Sequence, residues 1–187
     1  MNYPATVTKS LKGSLLISSP MLVGEIYSQS IIFIYEHRPE LGANGAIINH
    51  ESHLSVDDLL EKAGYWGNGM YSDEPLYHGG LMNEQSVLML HSSEWYSSNT
   101  YPINDKFSIS SDVFMIEKMI NGNHPDQWRM CAGQCSWYPD QLEEEIASNV
   151  WLEMPATPEI VFDKHSGQAQ WRKAIRKCSS HAVETWF

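Results

Sequence analysis

The stretch from Trp137 to Leu152, WYPDQLEEEIASNVWL, decides how the second half of this chain is read. Trp137 and Pro139 close a loop, Asp140 stands where a helix N-cap belongs, and Leu142 and Ile146 form an apolar pair four residues apart. Glu143, Glu144 and Glu145 load the opening turns with negative charge, which the positive end of a helix dipole favours. Three successive carboxylates fan through about 200° of a helix, so no more than two of them can face one site. Glu144, two beyond Leu142 and two before Ile146, is expected on the far face, in water. Gln141 either hydrogen-bonds a ligand or pins Trp137 and the loop before the helix. Pinning is the expectation, because the helix needs its entry angle fixed.

Working upstream, Leu15 to Ile17 and Ser30 to Glu36 are rich in Leu, Ile and Phe and read as strands, the second one central. Pro39, Gly42, Asn44 and Gly45 mark a turn, and Ala46 to Asn49 returns as the partner strand of a hairpin. Ser55 caps a helix that opens with Asp57 and Asp58 and stops at Gly64. Tyr65 to Glu74 reads as an exposed, mobile loop. Leu76-Tyr77, Val87 to Leu90 and Phe107 to Ser110 are short strands between Gly, Asn and Pro. Ser111 is placed to cap a helix from Asp112 to Asn121, closed by Gly122. Val113, Phe114, Ile116, Met119 and Ile120 make it apolar around most of its circumference, so it is expected to fill the core. If buried, Phe114 or Ile116 cut to Ala would cost about 2–5 kcal/mol. Gln127 to Ala132 is a further strand, and a last helix lies around Trp171 to Lys177. This irregular alternation with many hairpin turns points to an α+β fold rather than a doubly wound parallel sheet.

The chain has 187 residues, 42% of them hydrophobic, which suits one domain spanning 1–187, with residues 1–8 and 179–187 expected to be flexible ends. Twelve Lys and Arg against 23 Asp and Glu leave a net charge of −11, which disfavours generic binding to nucleic-acid phosphates. Arg172, Lys173, Arg176 and Lys177 are the densest basic group and read as the solvated face of the last helix, good for weak, salt-sensitive nucleic-acid binding at most. No stretch reads as a signal peptide, since Pro20 interrupts the apolar run Leu15 to Val23 and Glu25 follows it. Neither that run nor Ile26 to Tyr35 approaches the roughly 20 residues of a membrane helix, so a soluble, cytoplasmic chain is expected.

Three cysteines do not make a secreted disulfide framework. Cys131 and Cys135, if on one strand, lie about 13 Å apart, too far to bridge, and are expected as reduced thiols. No metal or cofactor is expected. His50-Glu51-Ser52-His53 has a gap of three where HExxH needs histidines on adjacent helical turns. There is no GxSxG, and His37, His78 and His91 at strand ends are the candidate bases, although a satisfied structural histidine is the commoner outcome at such places. Gly79-Gly80 lacks a phosphate-loop frame and suits a tight turn or a close backbone approach.

These motifs together resemble the bacterial YqgE/AlgH family from about Leu11 to about Lys177. The residues that carry the resemblance are Leu15-Leu16-Ile17 with Pro20; Glu36-His37 followed by Gly45-Ala46-Ile47-Ile48-Asn49; Tyr77-His78-Gly79-Gly80; Val87 to His91; Ser111-Asp112; Gly133, Trp137, Gln141-Leu142-Glu143, Glu145 and Ile146; and Asn149, Trp151-Leu152, Phe162-Asp163 and Trp171-Arg172. Leu81 stands where the family has proline, Gln134-Cys135-Ser136 replaces its Tyr-Ala-Gly, and Asp140 replaces a common glycine. The resemblance implies a mostly antiparallel, branched sheet curled into a pseudo-barrel with helices packed around it. It supplies no catalytic residues, and one branch of the family is linked to transcriptional control of exopolysaccharide synthesis.

The signature positions Glu36, His37, Asn49, Gly79, Gly80, His91, Ser111, Trp137 and Gln141 are therefore either ligand-binding or structural. The function expected is a non-catalytic binding or regulatory protein acting through a protein partner or a small ligand. The alternative is a hydrolase or transferase in which His37, Asn49, His91 and Gln141 converge on one cleft.

Overall fold

The computed structural model describes residues 9–24, 26–65 and 69–184, so the expected flexible segment 1–8 and residues 185–187 lie outside them. Strands β1 (Ser14–Ser18) and β2 (Ile31–Arg38) carry unbroken apolar runs because both of their faces are covered. Leu15, Ile17, Ile31 and Phe33 point into one core, while Leu16, Ile32 and Ile34 point into a second on the opposite face. The strand partner of β2 is β3 (Gly42–Ile47), as expected, although the turn is shorter than the sequence suggested. Asn44 and Gly45 belong to the strand. Gly42, at φ +96, lies so close to the Trp137 carbonyl that a Cβ there would be 2.0 Å from its oxygen.

The remaining strands are β4 (Glu51–Ser55), β5 (Pro75–His78), β6 (Met82–Ser92), β7 (Thr100–Pro102), β8 (Phe107–Ser110), β9 (Trp128–Trp137) and β10 (Trp151–Pro155). The sheet runs β10-β1-β2-β3-β9-β6-β8-β7, and it branches at β9, which also pairs in parallel with β5, itself hydrogen-bonded to β4. All other pairings are antiparallel, and the sheet curls into a half-barrel with helices packed around it, an α+β fold. Helices α4 (Pro158–Val161) and α5 (Gly167–Glu184) close the first core with Ile160, Val161, Trp171 and Ala174. Helix α3 (Gln141–Ala147) closes the second with Leu142. A third core lies beneath α1 (Val56–Lys62) and α2 (Val113–Ile120), built from Leu60, Met89, Met115, Met119 and Met130. No helix among the described residues is long and apolar enough to cross a membrane.

Several expectations need correction. Asp112, not Ser111, caps α2, its carboxylate accepting from the Met115 N–H. The Ser111 hydroxyl instead donates to the Val87 carbonyl and ties the start of the helix to β6. Helix α2 does not fill the core: it buries Met115 and Met119 on one side and leaves Val113 and Phe114 60% and 56% exposed. The condition for a large Phe114→Ala cost is therefore not met. Tyr71, in the loop read as exposed, is buried, and its hydroxyl donates to the Met119 carbonyl. Trp137 is the last residue of β9 rather than part of a loop. The same strand carries Cys131 and Cys135, both free and buried, with burial pushing each thiol up to about 12.

Candidate functional site

Tight chain crossings fix the frame of the candidate residues. Gly79 and Gly80 follow β5 and run against β9: a Cβ on Gly79 would sit 2.3 Å from the Gly133 carbonyl, and one on Gly80, at φ +152, 2.2 Å from Gln134. Only glycines allow that approach. The Gly79 carbonyl accepts from the Ile47 N–H, so this crossing also holds β3.

Asn49, just beyond β3, is fully buried. Its Oδ1 accepts from the Ile31 N–H at 2.7 Å, and its Nδ2 donates to the carbonyls of Gln29 at 2.8 Å and Gly167 at 3.1 Å. His37, on β2, accepts from the Leu11 N–H at Nδ1, so its proton is on Nε2, which donates to Glu143 Oε1 at 2.8 Å. Glu36 stays near the surface, where Arg38 and Asn44 donate to it.

His91 is buried on β6, with the Trp95 ring edge-on to it at 5.2 Å. Its Nδ1–H donates to the Ser92 carbonyl, which leaves Nε2 to accept from the Ser110 hydroxyl at 3.0 Å; the Thr100 hydroxyl lies 2.6 Å from Ser110. Burial lowers the His91 pKa below the ordinary 6.5, and His50 moves the same way for the same reason. The unfolded chain then takes up protons first, so stability is complete above pH 6.5 and falls as pH drops through 6.5 toward the folded value. Urea titrations are expected to show a lower midpoint at mildly acidic than at neutral pH, with a smaller difference in His91→Gln. An unaltered difference in that variant would exclude His91 as a source. Burial alone would push Asp163 up, but hydrogen bonds from Lys173 and His165 outweigh it and hold the carboxyl at about 2, so its stabilising contribution is intact at these pH values and is lost only as pH falls below 3.8.

His37, Asn49, His91 and Gln141 thus each engage their own set of partners, and of the four only Gln141 lines the cavity beside α3. That cavity, of about 390 Å³, lies between β9, β10 and the segment before β2 and is walled by Leu22, Tyr27, Trp137, Gln141, Glu145 and Trp151. Glu145 is its polar centre. Its Oε2 accepts from Trp137 Nε1 at 2.9 Å and Trp151 Nε1 at 2.7 Å, and its Oε1 accepts from Gln141 Nε2 at 2.9 Å. The Gln141 Oε1 accepts from the Tyr138 N–H at 3.0 Å, which pins the turn between β9 and α3. Tyr27 and Trp137 both meet the Trp151 ring steeply, at 65° and 82°, with centroids 6.1 and 6.4 Å away.

Glu145 and Trp151 were legible only as family matches, although the i, i+4 spacing of Gln141 and Glu145 was a signal for their contact. Tyr27 gave none. Asp140 is a correction: it occupies the N-cap position at φ +65 and makes no side-chain cap bond. The left-handed backbone explains why a glycine suits this position. Asp140→Gly is accordingly expected to leave stability unchanged or raise it by up to about 1 kcal/mol, whereas Asp140→Ala lowers it; a loss in the glycine variant on thermal melting would restore a capping role.

A second cavity of about 350 Å³ lies over buried Arg129 on β9. The guanidinium donates to the carbonyls of Ile48 and Asp163 and to Gln170 Oε1, and stands 4.6 Å from the Tyr77 ring centre. Glu51, Asp73, Glu74 and Asp163 surround it, so the cavity offers an anion no excess of positive charge. Among the described residues, no group of three or more His, Cys, Asp and Glu is placed to hold a metal ion.

With this geometry in view, residues 15–182 match the AlgH-like family, DUF179. A UPF0301 protein of Idiomarina loihiensis is 31% identical over 172 residues, covering 90% of this chain and 91% of its own length. Another, from Marinomonas, is 34% identical over 154 residues, covering 82% of this chain and 81% of its own. The solution structure of the AlgH protein from Pseudomonas aeruginosa superposes with a TM-score of 0.76 at 25% identity, covering 94% of this chain and 90% of that one. The chain belongs to the AlgH-like family, a group of proteins without an assigned specific activity.

Proposed function

We propose that this chain is a cytoplasmic, non-catalytic binding or regulatory protein whose recognition site is the cavity of Tyr27, Trp137, Gln141, Glu145 and Trp151. The carrying observation is that aromatic rings and one carboxylate wall this cavity, the few convergent polar groups among apolar walls that a small-ligand site requires. Any effect on transcription runs through a partner. The net charge of −11 opposes direct DNA reading, and Lys173 and Lys177 on α5 are engaged by Asp163 and Glu159. The test is an NMR titration of the purified chain with a metabolite library, following the indole N–H signals. Compounds that bind are expected to move those of Trp137 and Trp151 and to be recovered unaltered. Binders that move neither signal, or that are consumed, overturn the reading. So does a sequence-specific DNA complex that survives physiological salt.

A further inference from the structure

We infer that the cavity beside α3 takes a small organic cation, an ammonium head of the quaternary or protonated-amine kind; this rests on that cavity being the recognition site. Charge is the first argument. Among the described residues, Glu145 is the single formal charge on the lining, and no Lys, Arg or His stands there. Its three donors are two indoles and an amide, all neutral, so they orient the carboxylate without cancelling its charge. A carboxylate offers about four acceptor directions. Oε2 uses two on the indoles and Oε1 uses one on Gln141, which leaves one direction at Oε1 for an incoming donor or cation.

The walls supply the second argument. Tyr27 and Trp137 stand steeply against Trp151, so aromatic rings border the space on more than one side, and ring quadrupoles attract a cation. An anion would be repelled by the carboxylate, and a neutral donor would gain one hydrogen bond from it but no charge attraction. A hard metal ion is excluded by ligand number: calcium or magnesium needs about six or more oxygens, and the Gln141 Oε1 is already held by the Tyr138 N–H. Size sets the limit. About 390 Å³ is near the lower end of ligand cavities, which run from roughly 300 to 1,000 Å³, so the site suits a head group rather than an extended molecule.

The experiment titrates the purified full chain with choline, with its uncharged isostere 3,3-dimethylbutanol, and with acetate, following the indole N–H signals and tryptophan fluorescence. Choline is expected to bind at least about tenfold more tightly than the alcohol, with acetate not binding. Equal binding of choline and the alcohol overturns the cation inference and leaves the recognition site standing. No movement of Trp137 or Trp151 with any probe overturns both. Glu145→Gln is expected to abolish the preference for choline over the alcohol. Because either orientation of that amide sets its NH2 against a donor already there, the two indoles or Gln141 Nε2, Tyr27→Leu on the half-buried wall serves as the second variant, expected to weaken choline more than the alcohol. Unchanged choline affinity in whichever variants melt like the parent chain places the cation elsewhere and overturns the inference.

Discussion

Asn49→Ala is expected to lower the unfolding free energy by about 3–5 kcal/mol, among the largest effects of any single polar substitution in this chain. The side chain is fully buried and closes three hydrogen bonds to groups far apart in sequence: the Ile31 N–H and the carbonyls of Gln29 and Gly167. Alanine leaves the Ile31 N–H without its acceptor and takes one donor from each of two carbonyls, of which that of Gln29 still faces His50; each group left dry costs about 1–3 kcal/mol. Water entering the vacated volume recovers part of this, which holds the expected total below the sum. Little of the loss is apolar packing, and Asn49→Asp separates the terms. It keeps the shape and the acceptor for Ile31, yet it faces two carbonyl oxygens with a buried charge, so it should be at least as damaging. Urea unfolding with an unchanged m-value measures both variants. A cost below about 1 kcal/mol for alanine would mean that these backbone groups find other partners.

The contrast between Asn49 and the strands around it shows what a sequence displays. Strands β1 and β2 were legible because both faces are buried, which demands consecutive Leu, Ile and Phe. Short edge strands carry no such demand. β4 reads ESHLS and β7 reads TYP, each half-exposed, and neither pattern differs from a polar loop. Helix α2 misled in the opposite direction. Its apolar circumference suggested full burial, but it is covered on one side only, so Val113 and Phe114 face water.

The candidate site follows the same rule. The identity of Asn49, His37 and Gln141 as special positions came from motif resemblance, whereas their roles depend on contacts that no periodicity reports. His37 meets Glu143 across 106 positions, and Asn49 meets Gly167 across 118. The four residues offered as a converging site are polar for four separate local reasons, each satisfying buried backbone or side-chain groups. Asp140 failed for a backbone reason: an Asp before a helix predicts a cap in extended conformation, but Asp140 is left-handed and makes no side-chain bond to the helix N–H groups.

Trp137→Ala is expected to cost about 3–5 kcal/mol, the range for removing a buried large aromatic. The indole is 8% exposed, packs edge-on to Trp151 in the core beneath α3, and donates to Glu145. Gln141→Ala should cost less, about 1–3 kcal/mol and nearer the lower figure. The exposed position of Tyr138 lets water reach the N–H that Gln141 serves, while the carboxylate of Glu145 retains both indole donors. Trp137→Phe divides the larger effect: it keeps an aromatic ring against Trp151 and deletes one charge-assisted bond, worth roughly 1.5–3 kcal/mol. If the two indole N–H groups act together on Glu145, the double variant Trp137→Phe with Trp151→Phe loses an amount different from the sum of the singles. The structural and recognition roles of this corner then part cleanly. A wall that also holds the fold predicts that Trp137→Ala melts markedly below the parent chain, with Gln141→Ala between them. Parent-like melting in both variants, with ligand binding gone, would make the corner a recognition platform that contributes nothing to holding α3 in place.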